Sequence, residues 1–165
     1  RKNMKYKITK ATTKSEEILK LYHSLIGKDG CTWDLDYPSK EDIKKDIAKQ
    51  ALYIVLNKKE IIAVAAAGED DELKEINCYS KEILNPCDLA EFGVKEAYQN
   101  KGIAKFLIQY LETEGVKRGF DGIHFLVSKT NPHAKAVYDH LNYTCCGEIK
   151  LYEKEWYCYE KRLIK

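Results

Sequence analysis

The sequence predicts an α/β fold of the α+β type, in which one mixed sheet carries helices on both faces. The chain has 165 residues, a length that suits a single domain with a substantial hydrophobic core. Segments with strand-like and helical apolar spacing follow one another in the order β-α-α-β-β-β-α-β-α-β-β. The sequence contains no internal repeat, linker or low-complexity tract, so we expect one domain.

The composition is typical of a globular protein and excludes several classes of partner. Lysine and arginine total 28 and aspartate and glutamate total 26, so the net charge of +2 gives no basic footprint for nucleic acid. The longest apolar run, Ile61–Ala67, is too short to cross a bilayer, and no secretory pattern occurs near the start. We therefore expect a cytoplasmic protein with no nucleic-acid or membrane partner. Arg1–Asn3 precede Met4 and are expected to be an expression remnant, so the domain is expected to run from Met4 to Lys165.

The six cysteines, at positions 31, 78, 87, 145, 146 and 158, form no C-x-x-C pair. The histidines do not lie at zinc-like spacing from them, so we expect no metal site. Free or buried thiols in a reducing compartment are the expectation for all six. Cys145 and Cys146 are adjacent, which leaves two interpretations: a redox-active pair, or two small strand residues facing opposite ways.

The first third of the chain predicts one strand and two helices. Tyr6–Lys10 has strand-like spacing, and Thr13 with Glu16 three residues later predicts a capping box at the start of the first helix. The apolar stripe of that helix consists of Ile18, Leu21, Tyr22, Leu25 and Ile26. A second helix is predicted over Ser39–Lys49, where Ser39 and Asp42 have the spacing of an N-terminal cap.

The middle of the chain predicts a hairpin and a central strand. Leu52–Leu56 and Ile61–Gly68 are the paired strands, and Asn57–Glu60 is the turn between them. The polar, acidic segment Glu69–Lys81 predicts a loop, and Asp88–Val94 predicts the central strand.

The last third predicts two more helices and a closing hairpin. The spacing of apolar residues predicts a long helix over Ile103–Lys117, followed by a strand over Gly122–Val127. Asn131 and Pro132 have the chemistry of an N-cap and a first helical residue, so they predict the start of the next helix. The final hairpin is predicted from two strands, Thr144–Ile149 and Trp156–Leu163.

The turn between the central strand and the long helix is the first candidate binding element. It is polar and includes Gly102 directly before the helix. A helix start presents backbone N–H groups without intrahelical partners, and a glycine there lets an anion approach closely. The turn therefore has the features of a phosphate cradle, although an ordinary strand–helix connection has the same pattern.

Two segments, separated by one helix and one strand, together share a pattern with a known family. The first segment contains Val94, Gln99, Gly102 and Ala104, in the spacing Val-x4-Gln-x2-Gly-x-Ala. The second contains Asn131, Ala134 and Tyr138, followed by Leu141, Asn142 and Tyr143. The pair resembles the pyrophosphate-binding motif and the Asn-x-x-Ala-x-x-x-Tyr motif of the GNAT superfamily of acyl-CoA-dependent N-acyltransferases. The element order matches from Tyr6 to Leu163 as well, which implies a GNAT-like, mostly antiparallel sheet. Asn142 stands where the family usually has glycine.

The resemblance implies that acetyl-CoA is the co-substrate and indicates which residues hold it. The pyrophosphate would lie on backbone N–H groups of Gln99, Asn100, Lys101, Gly102, Ile103 and Ala104. The pantetheine amides would pair, strand-like, with Phe92, Gly93 and Val94, at an edge exposed where two strands splay apart. Pairing of this kind is physically reasonable because amides add to a free strand edge. Asn131 would contact the coenzyme near the pantetheine arm.

Acetyl transfer from a thioester to an amine needs a base for the amine and an acid for the leaving thiolate. By its match to the family motif, Tyr138 is the candidate acid, and a core aromatic is the alternative interpretation. Asp88 and Glu91 on the central strand are the candidate bases, with Glu91 favoured for its reach, and ordered water is a third alternative. Period-two alternation places the two carboxylates on opposite faces unless a bulge intervenes.

The acceptor site is predicted from the segment Cys31–Pro38 and the tip of the last hairpin, because these regions shape the acceptor pocket in the family. Trp33 and Tyr37 could wall a slot for an amine, and Asp34 or Asp36 could attract a cation. A loop that packs its own aromatics is an equal alternative.

The resulting hypothesis is an N-acetyltransferase that transfers acetyl from acetyl-CoA directly to a primary amine of a small molecule or protein. The alternative is a non-catalytic acyl-CoA-binding or sensing module on the same fold. Because family members often dimerise, the resemblance also allows a homodimer.

Overall fold

A computed structural model describes residues 5–28, 30–70 and 76–164. The strands are β1 (Lys7–Lys10), β2 (Leu52–Asn57), β3 (Glu60–Gly68), β4 (Pro86–Val94), β5 (Gly122–Ser128), β6 (Thr144–Leu151) and β7 (Lys154–Arg162). The helices are α1 (Ser15–Leu25), α2 (Lys40–Ala48), α3 (Ile103–Lys117) and α4 (Pro132–His140). The predicted order of elements is confirmed, and the bounds differ by only a few residues.

In the described part of the chain, seven strands form one sheet in the order β1-β2-β3-β4-β5-β7-β6. Only β4 and β5 pair in parallel, and every other neighbouring pair is antiparallel. The prediction of a mixed, mostly antiparallel sheet is therefore confirmed.

The sheet is covered on both faces because its inner strands are apolar on both sides. On β3, Ile61 and Val64 pack against the apolar stripe of α1 and Ile43 of α2. Ile62 and Ala65 of the same strand belong to a second core, formed with α3 and β5. Alternate residues of a strand point to opposite faces, so a continuous apolar run is what a doubly covered strand requires.

The helix starts predicted for α1, from a capping box, and for α2, from an N-terminal cap, have different outcomes. At α2 the prediction is confirmed: the Asp42 backbone N–H donates to Ser39 Oγ at 3.1 Å and the Ser39 N–H donates to Asp42 Oδ2 at 2.9 Å. At α1 it is wrong, because the N-cap is Lys14 in a left-handed conformation and no side chain caps the helix. Thr13 lies one residue too early for its hydroxyl to serve as the cap.

The expectation of six free or buried thiols is wrong for two of the cysteines. Cys78 and Cys158 form a disulfide, with their Cα atoms 6.2 Å apart and a sequence separation of 80. The segment before β4 passes over the last hairpin, and the lack of a side chain at Gly147 lets Cys78 approach, since a Cβ there would lie 3.0 Å from the Cys78 carbonyl oxygen. Cys31, Cys87, Cys145 and Cys146 are thiols.

Two sequence-based expectations fall partly outside the described residues. Met4 and the three residues before it are outside, as are positions 71–75 of the predicted Glu69–Lys81 loop; positions 76–81 form turns and bends. Within the described ranges, no helix is both long and apolar enough to cross a membrane.

Candidate functional site

The sheet opens between β4 and β5. The two strands pair only at Pro86–Asp88 and Gly122–His124. Beyond these positions β4 continues against β3 as far as Val94, and β5 continues against β7 as far as Ser128. The described strands therefore diverge, leaving the β5-facing edge of β4 without a ladder partner over its second half. This is the splay that the family resemblance implies.

A β-bulge in β4 lies at this opening. Val64 pairs with Gly93 and Ala66 pairs with Ala90, so one residue of β3 faces two residues of β4. Glu91 at the bulge has φ +53°, an uncommon conformation for a residue with a side chain. A bulge re-aims side chains, and here it turns Glu91 toward the α1–α2 side of the sheet, where Ala90 also packs.

The Glu91 carboxyl lies among polar groups that come from other elements. The Tyr37 hydroxyl donates to Glu91 Oε2 at 2.7 Å, and the Tyr22 hydroxyl donates to the Glu91 backbone oxygen at 2.9 Å. Oε1 is buried and receives no hydrogen bond from a donor among the described residues. Burial, followed by the neighbouring Asp46 carboxyl, raises the pKa of Glu91 to about 8. Glu91 can therefore exchange a proton near neutral pH, as a general base must.

Asp88 lies at the closed end of the splay. It is 7% exposed and accepts a hydrogen bond from the Asp70 backbone N–H at 3.1 Å. Its neighbour across the parallel pair is His124, over whose ring Tyr79 stacks with centroids 3.8 Å apart. Asp88 is thus held where the two strands are still joined, whereas Glu91 lies where they have separated.

The start of α3 has open backbone donors. Gly102 is the N-cap with φ +82°, so no side chain can cap the helix, and the first turn contains no acidic residue. Asn100 also has positive φ, and Gln99 Nε2 donates to the Val94 backbone oxygen at 2.9 Å, which closes the turn back onto β4. The Lys101 Nζ lies 5.9 Å from the Tyr98 ring centroid. This arrangement can accept an anionic group next to the open edge of β4.

Helix α4 brings Tyr138 to the β5 side of the splay. Its ring packs on Phe125, with centroids 4.2 Å apart, and Phe125 is the first residue of β5 beyond the paired positions. Burial raises the pKa of Tyr138 well above its ordinary value, so the hydroxyl stays protonated at neutral pH. No hydrogen-bond partner for this hydroxyl occurs in the part of the chain that the structure describes.

Asn131 acts as the N-cap of α4, as the sequence predicts. Its Oδ1 accepts from the Ala134 backbone N–H at 3.0 Å. The side chain also packs against Gly30 of the α1–α2 connection, where a Cβ would lie 2.5 Å from Asn131 Cγ. The cap therefore joins α4 to the loop that borders the opening.

The predicted acceptor residues take different roles. Trp33 packs edge-on against Tyr22, with ring centroids 5.0 Å apart, and lies close to Gly93. Asp34 Oδ1 accepts from the backbone N–H groups of Asp36 and Tyr37, so it stabilises the loop's own turn. A cleft of about 560 Å³ lies beside Trp33, between this loop, the end of β5 and the last hairpin. Its lining consists of Cys31, Thr32, Trp33, Ser128, Lys129, Thr130, Lys150, Glu153, Lys154 and Glu155.

Sequence reasoning missed two features of the candidate site. Asp46 on α2 is one, although its place between the inward-facing Ile43 and Ile47 is a signal that could have indicated it. The second is a groove of about 360 Å³ between α3 and α4. It is lined by Lys105, His133, Ala136, Val137, His140 and Leu141.

Comparison with known proteins identifies the family. The model of the Acetyltransferase (GNAT) family matches residues 17–143. A GNAT-family acetyltransferase from Streptococcus agalactiae superposes with a TM-score of 0.76 at 19% identity, covering 95% of each chain. Ard1 from Thermoplasma volcanium superposes with a TM-score of 0.75 at 11% identity, covering 98% of this chain and 100% of that one. The PaiA N-acetyltransferase from Thermoplasma acidophilum, in complex with coenzyme A, superposes with a TM-score of 0.73 at 16% identity, covering 96% of this chain and 99% of that one. No curated protein sequence matches the chain. Because the family model spans most of its length, this protein belongs to the GNAT family of acetyltransferases.

Proposed function

We propose that the protein transfers an acetyl group from acetyl-CoA to a primary amine of a small molecule or protein, by direct attack of the amine. The observation that carries this proposal is that two ionisable side chains, a carboxyl and a phenol, lie at the splay. Glu91 is at the bulge of β4 and Tyr138 packs on β5 just beyond the paired positions. The two groups thus border the opening from its β4 side and its β5 side.

The residues at the opening suit coenzyme A. The backbone N–H groups from Asn100 to Ala104 would hold the pyrophosphate, whereas the Gln99 N–H already donates to the Glu96 carbonyl oxygen at 3.2 Å. The β4 edge at Phe92–Val94 would pair with the pantetheine amides. The groove beside Lys105 and His133 adjoins the same helix start and offers the Lys105 ammonium and apolar surface to a nucleotide. When bound, the coenzyme supplies an acetyl thioester.

The chain's own residues would handle the protons. In its carboxylate form Glu91 takes a proton from the attacking amine, directly or through one water. The protonated hydroxyl of Tyr138 gives a proton to the departing thiolate as the C–N bond forms and the C–S bond breaks. Asp88 is the weaker candidate base because it lies at the closed end of the splay and is already bonded to the Asp70 N–H.

The test is incubation of the protein with acetyl-CoA and a panel of small amines, polyamines and peptides, with free thiol measured. We expect thiol release that requires both substrates and falls about a hundredfold or more in Glu91→Gln. Coenzyme A binding without turnover on any amine would favour the non-catalytic alternative, and no binding by an intact fold would contradict the whole proposal. The cytoplasmic location and the homodimer stay predictions, to be checked by cell fractionation and light scattering.

A further inference from the structure

A pair of carboxyl groups lies on the α2 side of the splay. Glu91 Oε1 on β4 and Asp46 Oδ2 on α2 are both buried, and neither receives a hydrogen bond from a donor among the described residues. Of the neighbouring groups, the Asp46 carboxyl raises the pKa of Glu91 most, so the two carboxyls are close neighbours. Two carboxylate oxygens only repel, whereas a carboxylic acid can donate to a carboxylate. A hydrogen bond between the two carboxyls therefore requires at least one proton on the pair.

Resting on the proposed function, we propose that Asp46 is a positioning residue of the reaction: it shares one proton with Glu91, and this proton must leave before Glu91 can act as base. The geometry gives the proton a route. Glu91 and Asp46 are both half-buried, but the Glu91 carboxyl is the more enclosed of the two, because Tyr22, Tyr37 and α2 surround it. When Asp46 takes the shared proton and releases it to water, Glu91 is left as a carboxylate that can accept the proton of the amine.

The charged and titratable groups around the pair have opposing effects. Asp46 and Asp42, both on α2, raise the pKa of Glu91 further after burial has raised it, and the hydrogen bond from Tyr37 lowers it. The Tyr22 hydroxyl is bonded to the Glu91 backbone oxygen and not to its carboxyl. Burial raises the pKa of Asp46.

Lys45 of the same helix and Lys49 directly after it oppose the effect of burial on Asp46, because a nearby cation favours the carboxylate. The apparent pKa therefore belongs to the pair, and each neighbour shifts it in a known direction.

Two isosteric variants test the proposal through opposite shifts. Asp46→Asn removes a group that raises the pKa of Glu91, so the acid limb of the kcat–pH profile moves down by about one unit. Tyr37→Phe removes a hydrogen bond that lowers the pKa of Glu91, so the same limb moves up. The matched control is Glu41→Gln, an exposed acid on the same helix, for which we expect no shift. Unchanged limbs in both variants, or shifts in the same direction, would overturn the proposal.

A second measurement separates this proposal from the proposed function. Carbon-13 NMR of the side-chain carboxyls follows Glu91 and Asp46 in the wild-type protein without substrate. Coupled groups respond at the same two midpoints, and we expect the upper one at about 8. Independent single-step titrations would overturn the pairing even if Asp46→Asn fails to fold. Coupled titration in a protein that acetylates no amine would support the shared proton between Glu91 and Asp46 and contradict the proposed function instead.

Discussion

Glu91 combines two unfavourable features at one position. Its φ of +53° belongs to a region where a residue with a side chain costs about 1–3 kcal/mol, and its carboxyl is largely enclosed. The Tyr22 hydroxyl holds its backbone oxygen, and the bulge fixes its register. Strained, buried ionisable residues cluster at functional sites, which agrees with the role proposed for Glu91.

The raised pKa of Glu91 predicts how stability changes with pH. Between the ordinary carboxyl value and about 8, the folded protein holds a proton that the unfolded chain has lost. The contribution of Glu91 to stability is therefore complete at pH below 4.5 and is lost as the pH rises toward 8. We expect Glu91→Gln, which cannot ionise, to have a higher Tm than wild type at pH 9 and a smaller difference at pH 5. Parallel Tm–pH curves for the two proteins would contradict the buried titration.

Tyr138 is the second residue whose role can be separated from packing. Its hydroxyl has no partner in the described chain, so Tyr138→Phe should leave the Tm nearly unchanged while kcat falls about a hundredfold. Tyr143→Phe is the matched control, because the Tyr143 hydroxyl donates to Glu112 at 2.7 Å. That variant should lose about 1 kcal/mol of stability and keep its kcat. Full activity in Tyr138→Phe would exclude it as the acid.

Among the helices, α3 carries the strongest link between local conformation and binding. Left-handed glycines flank it: Gly102 with φ +82° at its start and Gly119 with φ +93° after its end. Only Gly102 lies in the turn where the backbone donors are open. A side chain at either position has the same conformational cost in the left-handed region. Comparing substitutions at the two glycines therefore separates backbone strain from interference with a bound ligand.

We therefore expect Gly102→Ala and Gly119→Ala to lose similar stability, about 1 kcal/mol each, while only Gly102→Ala weakens coenzyme A binding. The Cβ added at Gly119 meets nothing within 4 Å, so its cost is conformational alone. Calorimetric titration with coenzyme A measures the affinities, and urea unfolding measures the stabilities. Equal affinities in the two variants would argue against a diphosphate at the start of α3.

The sequence predicts the elements whose signals are local. Ser39 and Asp42, or Asn131 and Pro132, lie within a few residues of each other, so short-range chemistry determines both helix starts. Asn142 is also explained locally: its φ of +70° is tolerated by asparagine, and glycine would suit the same turn.

Contacts between distant segments leave no such trace in the sequence. Asp46 reaches Glu91 from another element, and only the bulge, which no period-two pattern encodes, turns Glu91 toward it. The same holds for Cys78 and Cys158, which have a sequence separation of 80 and lie on elements whose approach depends on the finished sheet.

At the scale of the whole molecule, the splay between β4 and β5 divides the sheet into two parts. One part contains β1–β4 and the other β5–β7, and the described strands are joined across the division only at Pro86–Asp88 and Gly122–His124. The core beneath α3 and α4 spans both parts. The Cys78–Cys158 disulfide adds a covalent link, because Cys78 precedes β4 and Cys158 lies on β7.

This link should matter for stability more than for the chemistry. A cross-link that closes a long loop stabilises by about 2–4 kcal/mol, chiefly by restricting the unfolded chain. We expect Cys78→Ser/Cys158→Ser to lose about that much in urea unfolding, and added reductant to bring the wild type to the same value. Cys145→Ser, which removes an exposed thiol, is the control and should change neither the stability nor its response to reductant.

Saturating coenzyme A should stabilise the cross-linked and the uncross-linked protein by equal amounts, since ligand at about 100 times its Kd contributes about 2.7 kcal/mol to any fold that retains the site. A wild-type protein indifferent to reductant would mean that the two sulfurs are not bonded in solution. A smaller stabilisation by coenzyme A in the double variant would mean that the disulfide also holds the splay in its binding geometry.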